Sequence, residues 1–255
     1  MKYVDIPLSY TILGFSIAGW IGYGVLNFAL GNRAAVSRSI TVIASLIIFT
    51  AALLSGLDVA SLTASKYGIS ISNPESIFNK VSKKAENLVT EAQAWITGMA
   101  QLRAILAATP VTAPISDVVG DATFAPHWMT MLSISILVTI QVFFAFMAFA
   151  YPIFLAFASL VLGYAIRMVA GMFLALVVVL PPGASIVYNF IGDLNFESVT
   201  ILTPDRWFDI VGVFWRNSLK LYEAVLKAIL SLYICLSVTS AVSFMLGSVA
   251  PGIRV

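Results

Sequence analysis

From Trp128 to Leu180 the chain runs for roughly 50 residues with Arg167 as its only charge, too long for a single crossing of a roughly 30 Å hydrocarbon layer. No water-soluble fold tolerates such a run, because the apolar surface would exceed what one core can bury. The rest of the chain agrees. Ile6 to Leu30 is also free of charge, 60% of the 255 residues are hydrophobic, only 10% are charged, and the mean hydropathy is +0.98. These values exclude an ordinary globular domain and imply an all-α, polytopic transmembrane helix bundle. The net charge of +2 argues against a strongly basic nucleic-acid-binding surface.

The apolar runs predict about five spans. Ile6–Leu30 is the first. On it, Gly14, Ala18 and Gly22 recur every four residues, so that one face is small enough for another helix to approach closely, within the same subunit or from a second one. Ile40 to Leu57 is the second span. Between them lies a short connector, Gly31 to Arg38, whose Arg33 and Arg38 place it on the cytoplasmic side. That puts the N-terminus outside. Trp128–Ala150 and Ile153–Leu180 are the third and fourth spans, divided at Tyr151-Pro152. Pro181-Pro182-Gly183 reads as a firm break. Thr203-Pro204-Asp205 opens an interfacial amphipathic helix near 204–220, in which Trp207, Val211, Phe214 and Trp215 share a side. Leu226–Leu246 is the fifth span, with a cytoplasmic C-terminus. Glu223 and Lys227 are spaced for an ion pair.

Residues 1–60 thus carry two spans, 61–127 form a polar insert, and 128–255 carry the remaining spans. The insert is expected outside the membrane. It contains a helix with its own start signal, Asn73-Pro74-Glu75, and a stop at Thr109-Pro110. Along it Phe78, Val81, Ala85, Leu88, Ala92, Trp95, Met99, Leu102 and Leu106 alternate steps of three and four residues, which is a heptad seam. Such a seam must be covered. Either the helix folds back on its own chain or onto the membrane surface, or copies from other subunits pack along it.

Few residues invite chemistry. Arg167 lies on a stripe of small residues with Ser159, Gly163, Gly171 and Ala175, facing protein or a water-filled lumen and not lipid. It marks a helix end, binds lipid phosphate, lines a passage, or pairs with Asp193, Glu197 or Glu223. Gln141, near the middle of the third span, serves either a helix-to-helix hydrogen bond or a conduction path. His127, the single histidine, stands beside Trp128 at an expected interface and reads as a boundary residue. The single cysteine, Cys235, rules out an intramolecular disulfide. No catalytic constellation, metal-ligand set or phosphate loop is legible, so neither an enzyme activity nor a cofactor is expected.

This layout, with an external N-terminus, five spans, a large external insert between the second and third, and an internal C-terminus, resembles the TrbL-like inner-membrane subunits of type IV secretion and conjugation machines. Within that class it is most similar to the CedA family, the multi-span component of the crenarchaeal DNA import system. The resemblance rests on topology and implies a ring of subunits in the cytoplasmic membrane, an oligomeric channel or platform with DNA as cargo. Pilus-like subunits above and a motor ATPase below would be its partners, together with membrane lipid. A small-molecule or ion transporter and a non-conducting assembly scaffold are the alternatives.

Overall fold

The computed structural model describes residues 8–65, 74–161, 167–192, 194–197 and 207–249. Among them the chain is all-helical. Six helices follow in order: α1 (Leu8–Ala29), α2 (Arg33–Ser65), α3 (Pro74–Ala107), α4 (Ala113–Val161), α5 (Arg167–Gly192) and α6 (Trp207–Val249). Four carry segments long and apolar enough to cross a bilayer: Thr11–Ala29, Ala113–Phe157, Ala175–Gly192 and Asp209–Ala241. Four such segments stand where the sequence predicts five spans. The predicted second span, Ile40–Leu57, is helical within α2, but many of its side chains lie outside the described residues.

Several boundaries differ from the sequence reading, each for a physical reason. The connector after α1 is shorter than Gly31–Arg38. Gly31 takes φ 73°, and the amides of Asn32 and Gly31 donate back to the carbonyls of Asn27 (2.9 Å) and Phe28 (3.0 Å). This is a glycine-terminated helix end whose last carbonyls are satisfied locally. Asn32 Oδ1 then accepts from the Ala35 amide at 3.2 Å and caps α2, so that Arg33 is already helical. Tyr151-Pro152 does not divide the long apolar run, since α4 continues through it to Val161. Nor does the predicted interfacial helix near 204–220 stand alone. From Trp207 on it is the first part of α6, which runs on unbroken through the predicted fifth span, while 204–206 lie outside the described residues.

Pro181 and Pro182 sit inside α5 and do not end it. A proline lacks the amide that would serve the carbonyl four residues earlier, and at Pro181 that carbonyl belongs to Val177. The buried Tyr151 hydroxyl donates to it at 3.0 Å. The gap that Pro181 leaves in the helical ladder is therefore filled from α4, as buried backbone in a membrane helix requires. Gly183 serves close packing. A Cβ there would lie 2.2 Å from Cys235 Sγ, so only glycine lets α6 approach at this point.

The chain divides into two compact units. One comprises Met1–Asn79, Ala145–Ile186 and Ser231–Val255, and the other Lys80–Phe144 and Val187–Leu230. In the first, α1 and α2 pair closely where Gly24 meets Ser39, and the ring of Phe78 packs on Tyr151 with centroids 5.4 Å apart. In the second, Met99, Leu102 and Leu106 of α3 form a core with Val119 of α4 and Ile210, Val211 and Phe214 of α6.

Candidate functional site

The heptad seam is the first candidate surface, and its own chain fills it. Phe78, Val81, Ala85, Ala92 and Leu106 are wholly buried, and Leu88, Leu102 and Met99 nearly so, while Trp95 is half-buried. Polar contacts reinforce the packing. The Ser82 hydroxyl donates to the Gln141 carbonyl at 3.2 Å and the Ser116 hydroxyl to the Arg103 carbonyl at 3.1 Å, tying α3 to α4. Between α4 and α6, the Trp215 indole donates to the Ala122 carbonyl at 2.8 Å, and Thr130 Oγ1 lies 2.8 Å from Ser218 Oγ. Hydroxyl and indole groups hold helices together in this way where apolar contact alone drives little association. Of the covers that the spacing leaves open, the one seen among the described residues is the chain itself, which buries the seam.

A short extended segment, residues 194–197, is strapped onto α6 beside this core. Asn217 supplies two hydrogen bonds to the Glu197 backbone: its Nδ2 donates to the carbonyl at 2.9 Å, and its Oδ1 accepts from the amide at 3.2 Å. The Glu197 carboxylate takes a two-pronged contact from Arg216, at 3.2 Å from Nε and 2.7 Å from Nη2, with Lys220 at 3.7 Å. The hydrogen bond from Arg216 holds this carboxyl below its ordinary 4.5, the neighbouring cationic charges assist, and desolvation opposes. Phe196 meets Trp95 of α3 edge-on at 4.5 Å. Sequence reasoning missed the strap, whose one advance signal was an acid and an aromatic side by side in a connector.

The residues singled out by sequence are dispersed. Arg167 stands at the start of α5 and its side chain lies outside the described residues, as do Gly163 and Asp193. Of its three suggested acidic partners, Glu197 is engaged by Arg216 and Lys220, and Glu223 by Lys227 at 2.6 Å. Gly171 falls within α5, again without a described side chain. Gln141 is half-buried on α4 and contributes its carbonyl to Ser82. His127 is exposed beside Trp128. Asn189 on α5, not singled out by sequence, is the one described residue whose buried side chain has an atom, Oδ1, without a hydrogen-bond partner.

α1 contrasts with α3. Only 11% of its apolar segment is buried. Gly14, Ala18 and Gly22 are exposed, and a Cβ added at Gly14 or Gly22 would meet nothing within 4 Å. Among the described residues, nothing covers the small-residue face predicted for close helix packing at Gly14 or Gly22. Apolar side chains also point outward from α4 and α6, as with Val142, Phe146 and Phe149 or Leu230, Tyr233 and Ile234. Surfaces of this kind belong in lipid or against another membrane helix. Comparison with known protein families, with characterised proteins and with solved structures returns no match.

Proposed function

We propose that this chain is a membrane-embedded channel or platform subunit of a multi-subunit transfer machine, and that copies join through α1. The observation that supports this reading is the contrast in cover between two candidate surfaces. The heptad seam is closed within the chain, whereas the Gly14, Ala18, Gly22 face is exposed among the described residues. A helix that only faces lipid gains nothing from small residues at four-residue spacing, while a helix that packs on another gains close backbone approach. The resemblance to TrbL-like subunits supplies the class of machine: a conduit or platform for DNA in the cytoplasmic membrane, working with pilus-like subunits and a motor ATPase. In that orientation the N-terminus lies outside and the C-terminus inside; the 61–127 insert does not stand wholly outside with it, because Ser82 of α3 meets the Gln141 carbonyl well inside the apolar run of α4.

The test joins assembly to transfer. In cells, Gly14→Leu with Gly22→Leu is expected to abolish DNA transfer while the protein still reaches the membrane at normal levels. Transfer at the wild-type rate in that variant would refute the α1 reading. Solute uptake into liposomes by the folded single chain would replace it with a small-molecule transporter.

A further inference from the structure

We propose that a small cavity between α3, α4 and α6 binds the phosphate of an anionic lipid headgroup. It has a volume of about 150 Å³, opens to the surface at the exposed Arg103 and His127, and is lined by these two with Gly120, Thr123, Phe124 and Trp128 among others. This is well below the roughly 300–1,000 Å³ typical of pockets for drug-sized molecules, so it takes a headgroup fragment and not a whole solute. Three further observations give the site its chemistry.

The first is the seat of Arg103. A Cβ on Gly120 would lie 2.7 Å from its Nη2 and 3.0 Å from its Cζ, so the missing side chain on α4 is what admits the guanidinium. The second is charge. Arg103 makes no ion pair among the described residues, while Arg216, Lys220 and Lys227 are all paired with carboxylates. Asp117 and Asp121, exposed on the same stretch of α4, are not within ion-pair distance of it. A guanidinium always carries its charge, and its planar fork matches the oxygens of a phosphate. His127 lines the same pocket and brings an imidazole N–H as a further donor. Thr123 does not, since its proton goes to the Val119 carbonyl at 2.6 Å.

The third observation is position. His127-Trp128 is where α4 turns from a segment bearing Asp117 and Asp121 to one without charge up to Arg167. Phe124 and Trp128 stack edge-on at 6.4 Å beside the cavity and stand 65% and 62% exposed. Exposed aromatic rings at such a boundary sit at headgroup depth, which is where a lipid phosphate would meet a cation. The inference needs only that α4 crosses a bilayer and does not depend on the assembly proposed above.

Native mass spectrometry of the full chain in detergent, titrated with phosphatidylglycerol and phosphatidylcholine, tests it. The wild type is expected to retain phosphatidylglycerol in preference to phosphatidylcholine. Arg103→Gln should lower that affinity roughly tenfold, as losing a charge-assisted contact implies. Gly120→Ala, whose methyl group displaces only the tip of a flexible side chain, should lower it in part while leaving helix content unchanged. Displacement of the lipid by inorganic phosphate would assign the site to free phosphate, and resistance to it assigns the site to the headgroup. Wild-type phosphatidylglycerol affinity in folded Arg103→Gln or in Gly120→Ala overturns the proposal.

Discussion

Tyr151 ties α4 to α5 by a side-chain hydrogen bond. Its hydroxyl completes the ladder that Pro181 interrupts, so the two residues should be energetically coupled although they lie on different helices. Tyr151→Phe is expected to cost about 1–2 kcal/mol, because a carbonyl out of reach of water loses its donor. In a Pro181→Ala background, where the helix supplies its own amide, the same change should cost measurably less. Unfolding in a detergent titration, followed by circular dichroism, gives both numbers, and equal costs in the two backgrounds would contradict the pairing. Glu197 makes a pH-dependent prediction. Its carboxyl titrates below the ordinary 4.5 in the folded chain, so the contact with Arg216 contributes fully above that value. The contribution fades as pH falls through the lowered pKa. The protection of the Glu197 amide from hydrogen exchange, taken relative to its intrinsic rate at each pH, should therefore fall on acidification. In Glu197→Gln this pH-dependent loss of protection should be missing, and an equal loss there would sink the assignment. Neither residue was legible in this role. Pro181-Pro182-Gly183 reads as a break because the sequence shows the missing amide and not the distant hydroxyl that replaces it.

At the scale of helices, legibility followed how local the cause was. The limits of α3 were readable, from Pro74 at the first helical position to the stop at Thr109-Pro110, because capping and proline geometry act within a few residues. The length of α6 was not. The change from an amphipathic first part to an apolar second part suggests two elements, yet nothing between Trp207 and Val249 breaks a helix. The heptad seam was legible as a buried face, but its partner was not, since the same spacing serves a neighbouring subunit or the same chain. With the seam internal, its residues answer to rules of core packing. Leu102, 1% exposed beside Val119 and Phe214, is expected to cost about 2–5 kcal/mol of stability when replaced by alanine. The same detergent titration checks it, and a cost below 1 kcal/mol, the range of roughly neutral substitutions, would mean that the seam is not packed as described.

For the whole molecule, composition made the membrane-spanning character legible, while the division into two compact units was hidden. Each unit gathers segments far apart in sequence, so a reading that takes the chain in consecutive blocks cannot find them. The surface left open matters most for assembly. If copies associate through α1, replacing Gly14 and Gly22 by leucine should separate them without unfolding them, because bulk is added where no described residue of the chain lies. A charge buried in the α3 seam should act in the opposite way, damaging the fold before it affects association. The mass of the purified chain in detergent, measured for the wild type, for Gly14→Leu with Gly22→Leu, and for Leu88→Asp, separates these cases. The account predicts an oligomer for the wild type, a helical monomer for the α1 variant, and loss of helix content for Leu88→Asp. A monomeric, fully folded wild type, or a Leu88→Asp protein that dissociates while keeping wild-type helix content, would contradict it.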